Sequence, residues 1–167
     1  MGYRTQPKTR FNDLLTTKTG DAGELIVQAH LQAQGWHVYP HMADIAAPVD
    51  CVAMKAKDGG FDIVAIEIKT YPGRFATYQT GFDSADYWTY REIIKTLPLT
   101  IVFVDPFEES IYALPFRKVY DRVMFDRTKC YFDLADCQKL RDLTRAEIGR
   151  IGWIKTIHYA NVQKFFI

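Results

Sequence analysis

One stretch of the sequence combines the pattern of a buried β-strand with two charged residues. In residues 61–70, apolar side chains occupy both faces of an extended chain, which is typical of a central strand covered on both sides. Glu67 and Lys69 are two residues apart and therefore share one face, that of Ile63 and Ala65. Burying a carboxylate and an ammonium costs free energy unless partners or a metal ion compensate them. The pattern therefore predicts a core strand whose two charges serve metal-dependent chemistry.

The chain before this strand predicts one helix and two further strands. An apolar stripe indicates a helix over residues 24–34. A first strand begins at residues 36–39, and a second strand covers residues 49–54. The dipeptide Asp58-Gly59 is a strong hairpin signal, so we expect the second strand to pair antiparallel with residues 61–70.

The chain after this strand predicts a second helix and two more strands. Residues 71–82 are rich in Tyr, Gly and Thr and predict a loop. A helix over residues 84–96 follows, capped by its first residue or by Asp83. Residues 99–104 and 110–115 then predict two strands. The elements follow the order α-β-β-β-α-β-β, and we predict an α/β fold with a mixed central sheet flanked by helices.

The domain organisation is predicted to be a single core with an extension at each end. Residues 1–18 form a basic arm, which is either a frayed terminus or a contact to phosphates. Residues 19–116 form the core, and residues 117–167 form an extension that packs on it within the same domain. In that extension we expect a short edge strand over 131–134 and a broken helix over 135–151.

Composition narrows the class of protein. The chain has 167 residues, 48% of them hydrophobic, and a net charge of +1, which is typical of a folded globular protein. Any nucleic-acid surface must therefore be a local basic patch. No apolar run reaches the length of a membrane span, and the N-terminus lacks the apolar segment of a secretory signal. We expect an intracellular protein of the cytoplasm or nucleoid, with Cys51, Cys130 and Cys137 as reduced thiols.

Four charged residues occupy positions from which they can converge. Glu24 lies in the first helix, Asp50 starts the second strand, and Glu67 and Lys69 end the third. Hairpin pairing can bring Asp50 beside Glu67. Two adjacent carboxylates repel each other, and a hard cation such as Mg²⁺ relieves that repulsion. A neighbouring ammonium can orient or help deprotonate a water, or stabilise the charge that develops on a phosphate.

This constellation resembles the PD-(D/E)XK nuclease superfamily. The resemblance is carried by Pro48-Val49-Asp50, by Glu67-Ile68-Lys69 and by the helical Glu24. Residues 18–115 are most similar to archaeal-type Holliday junction resolvases and to group I intron homing endonucleases of the same fold. The first motif reads Pro-Val-Asp where the family has Pro-Asp, so the departure falls on Pro48 and the Asp is retained.

The resemblance implies a restriction-endonuclease-like core and a role for each site residue. Asp50 and Glu67 would hold Mg²⁺, for which Mn²⁺ substitutes, with help from the Ile68 carbonyl oxygen. Lys69 would act on the attacking water, and Glu24 would serve the metal through water or hold a second ion. The implied activity is endonucleolytic hydrolysis of duplex or branched DNA by a homodimer or a dimer of dimers.

Each of these residues also has a structural interpretation. Residues 21–24 fit a capping box at a helix start, and Asp50 can be a turn residue. Glu67 and Lys69 can form an ion pair at an exposed strand end. The chain can also be a non-catalytic nucleic-acid-binding or assembly module on the same fold. In an unrelated α/β protein, Asp50 and Glu67 would lie on opposite faces of the sheet.

Candidate contacts to DNA cluster around the loop that follows the charged strand. The loop interleaves aromatic residues with arginine, so we expect it to face DNA, whereas Tyr87 and Tyr90 have the helical spacing of core residues. The spacing of the histidines does not match a zinc site. The predicted DNA contacts are Lys18, His41, Arg74, Tyr78 and Gln79.

Overall fold

The computed structural model describes residues 15–41, 47–70 and 78–152, with side chains from Thr19 onward in the first helix. The first elements in chain order are α1 (Leu15–Ala33), β1 (His37–Pro40), β2 (Cys51–Lys57), β3 (Gly60–Thr70), β4 (Gln79–Asp83) and α2 (Ser84–Ile93). The remaining elements are β5 (Leu99–Asp105), β6 (Ser110–Pro115), α3 (Phe116–Val119), β7 (Met124–Asp126), β8 (Lys129–Asp133), β9 (Gln138–Asp142) and α4 (Arg145–Ile151). The predicted arm and the aromatic C-terminal segment lie outside the described residues, apart from the start of α1.

Six strands form the main sheet in the order β1-β2-β3-β5-β6-β9. The first three strands are antiparallel, β3 and β5 run parallel, and β5, β6 and β9 are again antiparallel. The parallel pair requires a crossover connection, which includes α2. The predicted mixed α/β fold, with helices flanking a central sheet, is therefore confirmed.

The hairpin between β2 and β3 is formed as the sequence predicts. Lys57 pairs with Gly60, so Asp58 and Gly59 alone make the turn. Gly59 has a φ of 80°, a left-handed conformation that glycine adopts without steric cost. The turn fixes the register of the pair and sets Cys51 opposite Ile66.

Two cores lie on opposite faces of the main sheet. On one face, Ile26 and Val27 of α1 pack with Ile66 and Ile68 of β3. On the other face, Ala65 of β3 packs with a core of aromatic residues. These residues come from α2, from α3 and from strands β4 and β8. The alternation predicted for β3 therefore holds along its second half.

The first half of β3 departs from the prediction of a strand covered on both sides. Phe61 is 59% exposed and Ile63 is 43% exposed. The reason is that β5 pairs with β3 only from Ala65 onward, so the hairpin extends beyond the sheet.

The first helix begins earlier than predicted. It starts at Leu15, so Glu24 lies in the helix interior, and its interpretation as part of a capping box is wrong. Gly20 and Gly23 are poor helix formers, so the sequence before Glu24 does not predict a helix. Tertiary packing of α1 on β3 overrides that local preference.

Three predictions for the remaining chain are corrected. Residues 79–82 are strand β4, not loop, and pair with β8 in a three-stranded sheet of order β4-β8-β7. The predicted edge strand near residue 131 is β8, which is the central strand of that sheet. The predicted broken helix contains strand β9 at the edge of the main sheet, because pairing with β6 outweighs its polar sequence.

Within the described ranges, no helix combines the length and the apolar character needed to cross a membrane.

Candidate active site

Pairing of β2 with β3 brings Asp50 beside Glu67. The Asp50 backbone N–H donates to the Ile66 carbonyl at 3.1 Å, so the ladder continues one residue beyond the Cys51–Ile66 pair. Asp50 immediately precedes β2, and its carboxylate is close enough to Glu67 for its negative charge to raise the pKa of Glu67. The Asp50 carboxylate also accepts a hydrogen bond from the Ile68 N–H at 2.6 Å. The arrangement expected of an unrelated α/β protein, with these carboxylates on opposite faces, is not found.

Glu67 and Lys69 form a partly buried network with helix α2. Lys69 Nζ lies 2.6 Å from Glu67 Oε1 and 2.8 Å from Asp86 Oδ2 in the first turn of α2. The Tyr90 hydroxyl, one helical turn further along, donates a hydrogen bond to the Glu67 carboxylate. The ion pair of Glu67 with Lys69 is therefore real, but it lies under α2 and not at an exposed strand end.

Glu24 reaches the same end of β3 from α1 on the other face of the sheet. The helix approaches β3 closely at Gly23, where an added Cβ would lie 1.8 Å from Thr70 Oγ1. The negative charge of Glu24 raises the pKa of Asp50, and the charge of Glu67 raises the pKa of Glu24. Asp50, Glu67 and Lys69 thus lie together at one end of β3, and Glu24 approaches that end from α1.

The carboxylates of this group are difficult to ionise. Burial raises the pKa of Asp50 from 3.8 to about 6, although the Ile68 N–H opposes the shift, and the charge of Glu24 adds to it. Burial likewise raises the pKa of Glu67 and of Glu24, and other carboxylates add to the effect in each case. Buried carboxylates with raised pKa values are typical of sites that bind a cation or move a proton.

Lys69 is held in the protonated form. Burial acts to lower its pKa, but the charge of Glu67 and the hydrogen bond to Asp86 outweigh burial and raise the pKa of Lys69 above its usual value. At neutral pH the side chain is therefore an ammonium, which can stabilise negative charge or donate a proton but cannot accept one.

The residues present fit a hard divalent cation by their donor chemistry. Asp50, Glu67 and Glu24 supply carboxylate oxygens, which Mg²⁺ and Mn²⁺ prefer. No group of three or more His, Cys, Asp or Glu side chains is already arranged as a metal cage within the described part of the chain. The reason is visible at two of the carboxylates, since Asp50 accepts from Ile68 and Glu67 is paired with Lys69. Cation binding would require these protein contacts to be exchanged.

The predicted DNA contacts fall in different environments. His41 and Tyr78 are exposed, and the His41 backbone N–H donates to the Asp50 carbonyl at 2.9 Å. Gln79 is only 3% exposed, and its amide nitrogen lies 3.5 Å from Met124 Sδ, so its side chain is not available to DNA in this structure. The side chain of Lys18 and all of Arg74 lie outside the described residues.

Sequence reasoning missed the two α2 residues of the network. The sequence pattern does not single out Asp86, and it predicts core packing for Tyr90, which is both buried and bonded to Glu67. Their spacing of four residues puts them on one face of a helix that follows the charged strand. That spacing is the one sequence signal that points to a shared role.

The comparisons with known proteins rest on structure alone. No protein-family model and no curated protein matches the sequence. The structure is similar to Hjc, a Holliday junction resolvase of Archaeoglobus fulgidus, with a TM-score of 0.51 and 12% identity over 72% of this chain and 91% of that chain. The chain therefore shares the fold of this resolvase.

Two further solved structures are similar at a lower score. A fusselovirus nuclease has a TM-score of 0.42 and 12% identity over 80% of this chain and 87% of its own. A bacterial homing endonuclease has a TM-score of 0.42 and 16% identity over 91% of this chain and 97% of its own.

Proposed function

We propose that this chain is a divalent-metal-dependent endonuclease that hydrolyses DNA phosphodiester bonds. One observation carries the proposal: Asp50, Glu67 and Lys69 converge at the end of β3 in a nuclease-like fold. A structural role alone leaves unexplained why several carboxylates with raised pKa values are placed together at a sheet end.

The chemistry follows from the donor set. Asp50 and Glu67, with the Ile68 carbonyl, would hold Mg²⁺ or Mn²⁺, which supplies Lewis acidity and lowers the pKa of a bound water. Lys69, as an ammonium, stabilises the negative charge that develops on the phosphate and can donate a proton. As an ammonium, Lys69 would orient the attacking water. Glu24 would accept a hydrogen bond from that water or hold a second ion.

The proposed substrate is duplex or branched DNA, cut in a resolvase-like or homing-type manner. A single site cuts one strand, so cleavage of both strands favours a homodimer or a dimer of dimers. The net charge of +1 means that DNA affinity must come from local contacts, for which His41 and Tyr78 are exposed candidates.

A cleavage assay tests the proposal. Linear duplex, single-stranded and four-way-junction DNA are incubated with Mg²⁺ or with EDTA, and we expect metal-dependent nicking of the duplex or the junction. Asp50→Ala, Glu67→Ala and Lys69→Ala are each expected to lower the rate about 10²-fold or more while DNA affinity and the circular dichroism spectrum are retained. Undiminished cleavage by Glu67→Ala would overturn the proposal.

The alternative is a non-catalytic nucleic-acid-binding or assembly module on the same fold. The observation that favours it is that the Glu67 and Asp50 carboxylates are engaged by protein donors. Tight DNA binding with no cleavage of any substrate in Mg²⁺ or Mn²⁺ would support this alternative.

A further inference from the structure

Two residues of α2 contact the site and have no place in the proposed catalytic set. Asp86 Oδ2 lies 2.8 Å from Lys69 Nζ, and Tyr90 donates to Glu67. Lys69 Nζ also lies 5.8 Å from the centroid of the Tyr90 ring. Since Asp86 and Tyr90 are four residues apart in one helix, α2 presents a single face to both charged residues of β3.

Glu67 faces two competing demands in the proposed function. Its Oε1 atom is 2.6 Å from Lys69 Nζ, so the ammonium and the carboxylate neutralise each other in this structure. The same carboxylate is required to hold a divalent cation. A cation and an ammonium on one carboxylate repel each other, and the side chain of Lys69 is only 24% exposed, so water compensates it incompletely.

Asp86 is placed to remove this conflict. It is a second counter-charge for Lys69, and it comes from α2 instead of the strand that carries Glu67. It lies in the first turn of that helix, where the helix dipole stabilises a negative charge. Lys69 can therefore lose its contact with Glu67 and keep an ion pair.

The helix itself is fixed in position by the aromatic core. Tyr90 is buried, and its ring centroid lies 5.2 Å from that of Phe82 and 5.9 Å from that of Phe116. Asp86 lies one turn before Tyr90 in the same helix, so packing of Tyr90 in the core also positions Asp86 next to β3.

We propose that Asp86 is a positioning residue. It retains the Lys69 ammonium at the site when the Glu67 carboxylate binds a divalent cation instead of Lys69. The inference rests on the proposed function for the cation site between Asp50 and Glu67. It predicts that the effect of Asp86 on cation affinity passes through Lys69.

A double-mutant cycle tests this coupling without DNA. Mn²⁺ is titrated calorimetrically into metal-free full-length protein for the wild type, Asp86→Asn, Lys69→Met and the double variant. In the wild-type background, Asp86→Asn should weaken Mn²⁺ binding by about fivefold or more, because the ammonium then has only Glu67 as a partner. In the Lys69→Met background, the same change should weaken it by less than about twofold.

Asp83→Asn is the matched control. Asp83 is the N-cap residue of α2, and its carboxylate pairs with a lysine, Lys129, at 2.6 Å. Within the part of the chain that the structure describes, the ion-pair partners of Lys69 are Glu67 and Asp86, so the loss of Asp83 should leave Mn²⁺ affinity within about twofold of the wild type.

Cleavage kinetics give a second readout. Asp86→Asn should lower the single-turnover cleavage rate by about tenfold or more with unchanged DNA affinity, and Asp86→Glu should restore most of that rate. If the role of Asp86 were purely structural, Asp86→Asn and Asp86→Glu would instead both lower the melting temperature, and both would lower the cleavage rate to a similar extent.

The outcomes separate the inference from the proposed function. Equal weakening of Mn²⁺ binding by Asp86→Asn in both backgrounds, or no weakening in either, would overturn the inference, and so would a wild type that binds no Mn²⁺. Coupled Mn²⁺ binding in a wild type that cleaves no DNA would overturn the proposed function and uphold the role of Asp86.

Discussion

The buried carboxylate of Asp50 lowers the stability of the metal-free fold at neutral pH. Burial raises its pKa from 3.8 to about 6, so the folded protein binds this proton more tightly than the unfolded chain does. The stability that the protonated group contributes is fully present below about pH 3.8 and is lost as the pH rises through about 6. At neutral pH the ionised, buried carboxylate therefore destabilises the metal-free fold.

Replacing this carboxyl by an amide should stabilise the metal-free protein. Asp50→Asn is expected to raise the free energy of unfolding by about 1–3 kcal/mol near pH 8, and the gain should disappear by about pH 4. The amide oxygen can still accept from the Ile68 N–H. Urea unfolding in EDTA at several pH values measures the effect. A gain that does not change with pH would contradict this explanation.

The matched control is Asp62→Asn. Asp62 also carries a carboxylate on the β2–β3 hairpin, but it is exposed and pairs with Lys57 on the surface. Its replacement should change the free energy of unfolding by less than about 1 kcal/mol.

At the level of elements, the placement of Glu24 depends on the contact between α1 and β3. The helix lies close to β3 at Gly23, where an added Cβ would lie 1.8 Å from Thr70 Oγ1. Glycine is unfavourable inside a helix, so packing of α1 on the sheet must compensate for it. The residue next to Gly23 is Glu24, and this contact brings its carboxylate to the site.

Two glycines of the same helix give a direct test. Gly23→Ala is expected to lower the free energy of unfolding by about 1–3 kcal/mol, because α1 must move away from Thr70. Gly20→Ala, which meets nothing within 4 Å, should instead raise it by up to about 1 kcal/mol. Urea denaturation of both variants measures the difference, and a stabilising Gly23→Ala would show that the contact does not constrain the helix.

Local signals explain which elements the sequence predicts. The β2–β3 hairpin follows from Asp58-Gly59, and with it the pairing of Asp50 and Glu67. Strands β4 and β9 are missed, because each pairs with a strand distant in sequence and has a weak alternation of its own. Asp86 is missed for the same reason, since its contact with Lys69 depends on how α2 crosses β3.

For the molecule as a whole, the main sheet separates two cores, and each contains one fully buried thiol. Cys51 packs with α1, and Cys130 packs with the aromatic residues on the other face. Burial raises the pKa of both thiols to about 12. Their reactivity therefore reports whether either core opens.

Thiol labelling is expected to follow global unfolding. In native protein near pH 8, Cys51 and Cys130 should resist an aromatic disulfide reagent, because the thiols are buried and remain protonated. Cys137, which is half-buried, should be the first of the three to react. Full labelling in urea provides the control, and fast native labelling of Cys130 would show that the second core opens locally.

The central claim is that Asp50 and Glu67 share a divalent cation at the end of β3. Anomalous diffraction from crystals of the full-length protein soaked in Mn²⁺ measures this most directly. The account predicts a single strong anomalous peak between the two carboxylates, with Lys69 retained by Asp86, and loss of that peak in Glu67→Gln. A peak elsewhere, or none beside these carboxylates in the wild type, would contradict it.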